Sequence, residues 1–314
     1  MAEVATEVIR ATKLKQSKVN ALVSNSPCGF RPAPEWNIKS SLKYYVSMVS
    51  CLLLLKKLNL IVMKIIRFST DKKTAYGILD KNTVKVIQGN PFLNIRYSGV
   101  THKLSDVKLL SPCVPSKIVC LGVNYRSHAG EMDHSLPQSP LIFLKPTTAI
   151  ISPEDKIIYP EMSQRVDYEG ELGVVIRKKA SRVSPQSALD YVLGYTCFND
   201  VTARDLQKLD GQWTRAKCFD TFAPFGPCIE TEIDPADVPV ETWLNGELKQ
   251  QSNTTELIFT VREVISFISH VMTLLPGDVI ATGTPGGIGP MHPGDTIEIK
   301  IAPIGVLRNY VMKP

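Results

Sequence analysis

The stretch VDYEGELGVVI, Val166–Ile176, decides how the rest of the chain is read. As a strand it points alternate side chains to opposite faces. Asp167, Glu169 and Glu171 then share one face, while Val166, Tyr168, Leu172, Val174 and Ile176 share the other with Gly170. Successive carboxylates on one face stand roughly 7 Å apart and repel. A solvated, half-exposed strand face is the plainer alternative, but such a face usually mixes its charges. Here the acidic alternation also stops abruptly, because Gly173 and Val175 continue the same face. Three like charges so placed call for a counter-charge from elsewhere.

Asp200, in YTCFNDVTARDLQ, follows the apolar strand Tyr195–Phe198. Alone it would be a turn residue. Beside Glu169 and Glu171 it completes a set of three hard carboxylates without His or Cys, which selects Mg²⁺, Mn²⁺ or Ca²⁺ over Zn²⁺. A divalent ion removes the repulsion, and three protein ligands leave positions for water and a chelating substrate. After Asp200 a helix is expected, with Thr202 and Asp205 as its N-terminal box. Arg204 and Gln207, three apart, share a face of it.

Three further segments carry polar groups. In GVNYRSHAGEM, His128 and Glu131 are neighbours on a helical turn. They form either a surface pair or a general base, His128, oriented by Glu131. Glycine before and proline after make the segment a loop that can act as a lid. In DGQWTRAKCFDTFAPFGP, Lys217 sits among Trp213, Phe219, Phe222 and Phe225. It either snorkels to solvent or, partly buried, serves as a cation for developing negative charge or a proton donor of depressed pKa. In IATGTPGGIGP the glycines do not fit GxGxxG, Pro285 interrupts them and no helix follows, so no nucleotide cofactor is expected. Its backbone N–H groups, at Gly283 and beyond, together with Thr284 suit a carboxylate.

Composition bounds these readings. The chain has 314 residues, 44% hydrophobic and 21% charged, with net charge +6. That is ordinary for a globular protein. Residues 1–62 hold nine Lys or Arg, three Glu and no Asp, which leaves 27 basic and 27 acidic residues beyond them. The body therefore lacks the basic signature of a nucleic-acid binder. Seven cysteines without a CxxC pair suggest neither a disulfide framework nor a zinc site, and a reducing cytoplasm is the expected compartment. The run VSMVSCLLLL, residues 46–55, is too short to span a bilayer. No membrane partner is expected, though tethering through residues 48–62 stands as a rival.

Residues 1–62 are expected to be an extension without fixed structure or the product of a misplaced start, with Met63 as the native beginning. Residues 63–111 are expected to be a small β unit, its strands at Ile65–Phe68, Tyr76–Leu79 and Val84–Ile87. Residues 112–314 form the main domain. Within it SPQSALDYVLG predicts a helix capped by Ser184 and ended by Gly194. TVREVISFISHVM predicts another, with Thr260 and Glu263 as capping box. Two Pro-Gly-Asp turns, at 276–278 and 293–295, each introduce a strand.

Six of these segments occur in this order in a known family. GVNYRSHAGEM, FLKP, DYEGELGVVI, NDVTARDLQ, QWTRAK and TGTPGGIG resemble the fumarylacetoacetate hydrolase family over residues 112–314. Within it the chain is similar to the acylpyruvate hydrolase, oxaloacetate decarboxylase and 2-hydroxyhepta-2,4-diene-1,7-dioate isomerase group. The resemblance implies a β-rich α+β fold of layered mixed sheets with a few short helices, and a homodimer. It implies Mg²⁺ or Mn²⁺ on Glu169, Glu171 and Asp200, with Asp167 as an accompanying residue. It places the lid pair on His128 and Glu131, the active-site lysine on Lys217, substrate-side positions on Arg204 and Gln207, and carboxylate binding on Thr284 with Gly283. Residues 1–62 have no counterpart in it.

The resemblance also implies a chemistry. A 2-oxo acid chelates the metal, and the enolate of pyruvate leaves on hydrolysis of a C–C bond. The same enolate forms when oxaloacetate loses CO₂, or is reprotonated in an isomerisation. A binding module without catalysis would need only the three carboxylates. His128, Glu131 and Lys217 argue against it.

Overall fold

The computed structural model describes residues 63–71, 73–127 and 136–314. The expectations for residues 1–62, and those for His128 and Glu131, lie outside the described residues.

Val166–Ile176 is not one strand but two. Val166–Tyr168 pairs with Thr202–Ala203 and Gly289–Met291 in a small three-stranded sheet. Gly170–Ile176 runs inside a twelve-stranded sheet, between Val192–Asn199 and Val279–Ala281. Glu169 stands at the switch between the two. The hand-over is made by backbone groups. Asp200 N–H donates to Glu169 O at 2.9 Å, and Glu169 N–H donates to Asn199 Oδ1 at 3.0 Å. Gly170 is required here, since a Cβ would lie 2.1 Å from Thr242 Oγ1.

The large sheet is continuous with the N-terminal strands. Val192–Asn199 pairs with Ala223–Glu230, which pairs with Lys64–Ser69. From there the ladder runs through Thr74–Asp80 and Thr83–Gln88 to Arg96–Lys103. On the far side Val279–Ala281 runs parallel to Ile118–Gly122, and Leu141–Lys145 closes the edge. A five-stranded sheet, which includes Pro239–Leu244, Thr296–Ile301 and Gly305–Met312, packs against it. Leu172, Val174 and Ile176 join Val240, Ile297, Ile299 and Leu307 in one apolar cluster. Val175 faces another, with Cys120, Phe198, Phe225 and Val279. Both faces of the strand are thus covered, and every residue from 166 to 176 is buried. The half-exposed strand face is thereby excluded.

Among the described residues helices are few and short: α1 (Arg204–Asp210), α2 (Thr214–Lys217) and α3 (Val261–Val271), besides short 3₁₀ turns. α3 has the expected capping box, with Val261, Val264, Ile265 and Ile268 in the core. Two expectations need correction. Pro185–Tyr191 is a 3₁₀ helix without a side-chain cap from Ser184, and Gly194 lies inside the next strand. Thr202 does not cap α1, whose cap position is Ala203. The Thr202 hydroxyl instead shares its one proton between Asp200 O at 2.8 Å and Glu169 Oε1 at 3.1 Å, where two carboxylate-bearing segments meet. Among the described residues, no helix is long and apolar enough to cross a membrane.

The Pro276–Asp278 turn introduces its strand as expected and carries a structural carboxylate. Buried Asp278 accepts from Ser116 N–H, Ser116 Oγ and Lys117 N–H through Oδ1, and from Leu275 N–H and Lys117 Nζ through Oδ2. Asp278→Ala strands these donors and is expected to cost about 3 kcal/mol. The melting temperature should fall by roughly 6–12 °C, with turnover per folded molecule unchanged. Calorimetry beside an active-site titration checks both.

Candidate metal centre and active site

Glu169, Glu171 and Asp200 converge where the two sheets exchange strands. All three are buried, and each offers a carboxylate oxygen within 4.8 Å of the others'. Register explains the meeting: Gly170 pairs with Asn199 and Glu171 with Phe198, so Asp200 follows directly beside Glu169.

Cations surround the triad. Lys217, at the end of α2, places Nζ 2.9 Å from Glu169 Oε2 and 2.7 Å from Asp200 Oδ2. It is 2% exposed, so it does not snorkel. Burial works against its charge, but Asp200 and Glu169 outweigh burial and raise its pKa above the ordinary lysine value. The expectation of a depressed pKa is therefore reversed with these partners. Arg204 opens α1 and spends its guanidinium on Asp167 (2.9 Å), Glu169 and the Gln207 side-chain oxygen (2.6 Å). Asp167 also holds Arg165 at 2.8 Å. Asp167 thus braces Arg204, which braces Glu169.

Glu171 is held differently. Its Oε2 accepts the Gly283 N–H at 2.7 Å, while its Oε1 is buried without a hydrogen-bond partner. Burial first, then the charges of Asp200 and Glu169, push its carboxyl well above the usual carboxylate range. Gly283 has φ +99°, and a Cβ there would meet Asn124 Cβ at 2.7 Å, so only glycine brings this N–H to Glu171. The glycine loop does hold a carboxylate, but it is the chain's own. Thr284 Oγ1 donates to Gly170 O at 2.9 Å and accepts from Gln250 Nε2 at 2.9 Å, fixing the loop over the strand switch.

The chain leading toward residue 128 is anchored to the same place. Buried Asn124 donates to Thr282 O and Phe259 O and accepts from Phe259 N–H. Val123 beside it has φ 45°, a strained conformation for a β-branched residue. Ser127 Oγ accepts the Gly286 N–H at 3.2 Å. On the Lys217 side, Nζ lies 5.0 Å from the Phe143 ring centroid. Phe143, Gln212, Trp213 and Cys218 line a cleft of about 890 Å³, so cleft and triad share a wall.

The triad fits a divalent cation. It is an all-oxygen set, buried and mutually repelling, and it keeps a carboxylate oxygen free of hydrogen bonds in Glu171. Buried polar atoms are rarely left unpaired without cause.

Sequence reasoning passed over Asn124, Asn199, Gln250 and Lys145. Lys145 offered two signals, a charge at the end of the apolar run LIFLK and a place in the family segment FLKP, but was given no role. The amides offered none, since a buried Asn or Gln looks like a surface one in sequence.

Residues 117–312 match the family model of the fumarylacetoacetate (FAA) hydrolase C-terminal domain. The chain belongs to this family. Residues 63–112 match a second model, the Rv2993c-like N-terminal domain. The oxaloacetate tautomerase of Bacillus subtilis is 43% identical, over 67% of this chain and 75% of its own length. The solved structure of a 2-hydroxyhepta-2,4-diene-1,7-dioate isomerase from Mycobacterium marinum is 44% identical, with TM-score 0.76, covering 80% of this chain and 98% of its own. That of a maleylpyruvate hydrolase from a Sphingobium species is 31% identical, with TM-score 0.68, covering 80% and 100%.

Proposed function

We propose that this protein is a divalent-metal-dependent enzyme of 2-oxo acids whose central event is proton transfer at the carbon beside the 2-oxo group, as in tautomerisation or isomerisation. The observation that carries it is the buried triad with Lys217 bridging two of its members. Glu169, Glu171 and Asp200 would hold Mg²⁺ or Mn²⁺, which supplies Lewis-acid polarisation of a bound 2-oxo acid. The identity of the relatives favours proton transfer. A tautomerase and an isomerase stand at 43% and 44% and a second isomerase at 31%, while two hydrolases among the solved structures stand at 38% and 31%.

The chain's residues divide the work. Lys217, charged and buried, stabilises negative charge as it develops on substrate oxygen. Arg204 and Asp167 hold Glu169 in place. The Gln207 amide N–H groups, whose oxygen is taken by Arg204, and the Gly283–Thr284 loop stand as substrate-side contacts. His128 with Glu131 is the proposed base that moves the proton. A homodimer belongs to the same proposal.

The C–C bond hydrolysis expected from sequence remains the second reading, supported by the maleylpyruvate hydrolase. It needs the same enolate and differs in delivering water to a distal carbonyl. One experiment separates the two: oxaloacetate enol, 2-oxo-dienoates and acylpyruvates assayed with Mg²⁺, Mn²⁺ and EDTA. Rapid loss of the enol absorbance, abolished by EDTA and without cleavage of acylpyruvates, is the expected result. Metal-dependent cleavage alone would favour hydrolysis. No metal-dependent turnover of any substrate would overturn both.

A further inference from the structure

Leu141–Lys145 is an edge strand that ends on a lysine followed by proline. An edge lysine ordinarily faces solvent. Lys145 is instead 1% exposed, among the largest fully buried side chains of the described residues. Its Nζ donates to three backbone carbonyls, Val201 at 2.9 Å, Lys217 at 2.8 Å and Phe222 at 2.7 Å. An ammonium has three N–H groups, and these three carbonyls occupy them. The same Nζ lies 2.7 Å from Asp200 Oδ1, a contact of charge rather than an aligned hydrogen bond.

We infer that Lys145 is a positioning residue for the active site, a fixed cation that sets both Asp200 and Lys217. Asp200 stands between two lysines. Lys217 sits on Oδ2, the oxygen it shares with Glu169, and Lys145 sits on Oδ1. The Lys217 ammonium is held by two side-chain carboxylates, which can turn away from it. Lys145 is tied to three carbonyls in three different segments and cannot follow. It therefore fixes the direction of the Asp200 carboxylate from behind. Through the Lys217 carbonyl it also fixes the end of α2, from which the Lys217 side chain departs. One ammonium thus sets the spacing between a proposed metal ligand and the proposed catalytic cation. Substituting such a supporting partner typically costs metal sites 10- to 100-fold in affinity or activity.

The inference rests on the metal reading above, and the sign of one measurement tests it. Removing a cation 2.7 Å from a ligand carboxylate should tighten divalent-ion binding if Lys145 acts only through its charge. Lost positioning acts the other way. Mn²⁺ titration calorimetry on Lys145→Met is expected to show affinity about 10-fold weaker, with kcat lowered on the order of 100-fold and KM little changed. Asp278→Ala, destabilised at a distance, serves as the folded control and should bind Mn²⁺ normally. Equal or tighter binding by Lys145→Met would overturn the inference. Where that variant does not fold, ¹⁵N spectra of the lysine ammonium groups in the wild type decide. The Lys145 signal, distinguished from Lys217 by a Lys217→Met spectrum, should be protected from exchange both before and after Mg²⁺ is added. Free exchange of that ammonium, before or after Mg²⁺ is added, would equally overturn it. A wild type that binds no Mn²⁺ would defeat the metal reading instead, and the protection of Lys145 without metal would still test the anchor.

Discussion

Glu171→Gln is expected to make the protein more stable in EDTA and to abolish its metal-dependent turnover. The side chain is fully buried, and its charge is opposed by burial and by Asp200 and Glu169. Gln keeps the shape and can still accept the Gly283 N–H through its amide oxygen. It removes the charge that the fold opposes and the cation requires. A gain of about 1 kcal/mol in EDTA, or roughly 2–4 °C in melting temperature, is expected. Turnover with Mn²⁺ should fall on the order of 1000-fold, since one of three ligands is lost.

The pH dependence carries the same signature. The folded pKa of Glu171 lies above its unfolded value, near 4.3. Between the two, the folded state keeps a proton that the unfolded chain has released. Unfolding then releases a proton, so wild-type stability in EDTA falls as pH rises through that window. The variant has no such group and should lose that slope. Urea denaturation at several pH values, with EDTA, compares the two. A variant with the wild-type slope would show that Glu171 is not the group under strain.

Glu169, Glu171 and Asp200 were legible because chemistry betrayed them: three carboxylates flanked by apolar sequence have no reason to be buried unless something binds them. The strand break at Glu169 was not legible. A period of two continues unbroken across Tyr168–Gly170, and only pairing partners distant in sequence reveal the change of sheet. Thr202 misled for a related reason. Thr-x-x-Asp is the same string whether it caps a helix or ends a strand, and the carboxylates beside it decided. Over the seven residues Pro185–Tyr191, a period of 3.0 and one of 3.6 drift apart by about one residue, too little to separate a 3₁₀ helix from an α-helix. Arg96–Lys103 gave no strand signal, because this exposed strand has almost no buried residue and hence no alternation. Lys145 stayed hidden because burial of a lysine depends on carbonyls contributed by three other segments.

Lys217→Met should have the opposite stability effect to Glu171→Gln. It removes the ammonium that bridges Glu169 Oε2 and Asp200 Oδ2, and leaves buried carboxylates with less counter-charge. Breaking a buried pair by removing one partner typically costs about 3–5 kcal/mol. In EDTA the melting temperature should therefore drop by roughly 6–20 °C. With saturating Mn²⁺ most of this loss should disappear, because a divalent cation supplies the charge that Lys217 no longer does. Linkage then requires that the variant bind Mn²⁺ more tightly than the wild type, by about the factor its stability recovers. Turnover should nevertheless fall by on the order of 1000-fold, since the cation that stabilises developing negative charge is gone. Tighter metal binding with lost turnover separates Lys217 from a ligand, whose loss weakens binding. It also separates Lys217 from Lys145: both contact Asp200, but on different oxygens, one ammonium held by side-chain carboxylates and the other by backbone carbonyls. Calorimetric Mn²⁺ titration of both variants puts the two lysines on opposite sides of the wild type. A Lys217→Met protein with weakened Mn²⁺ binding and normal turnover would reverse its assignment.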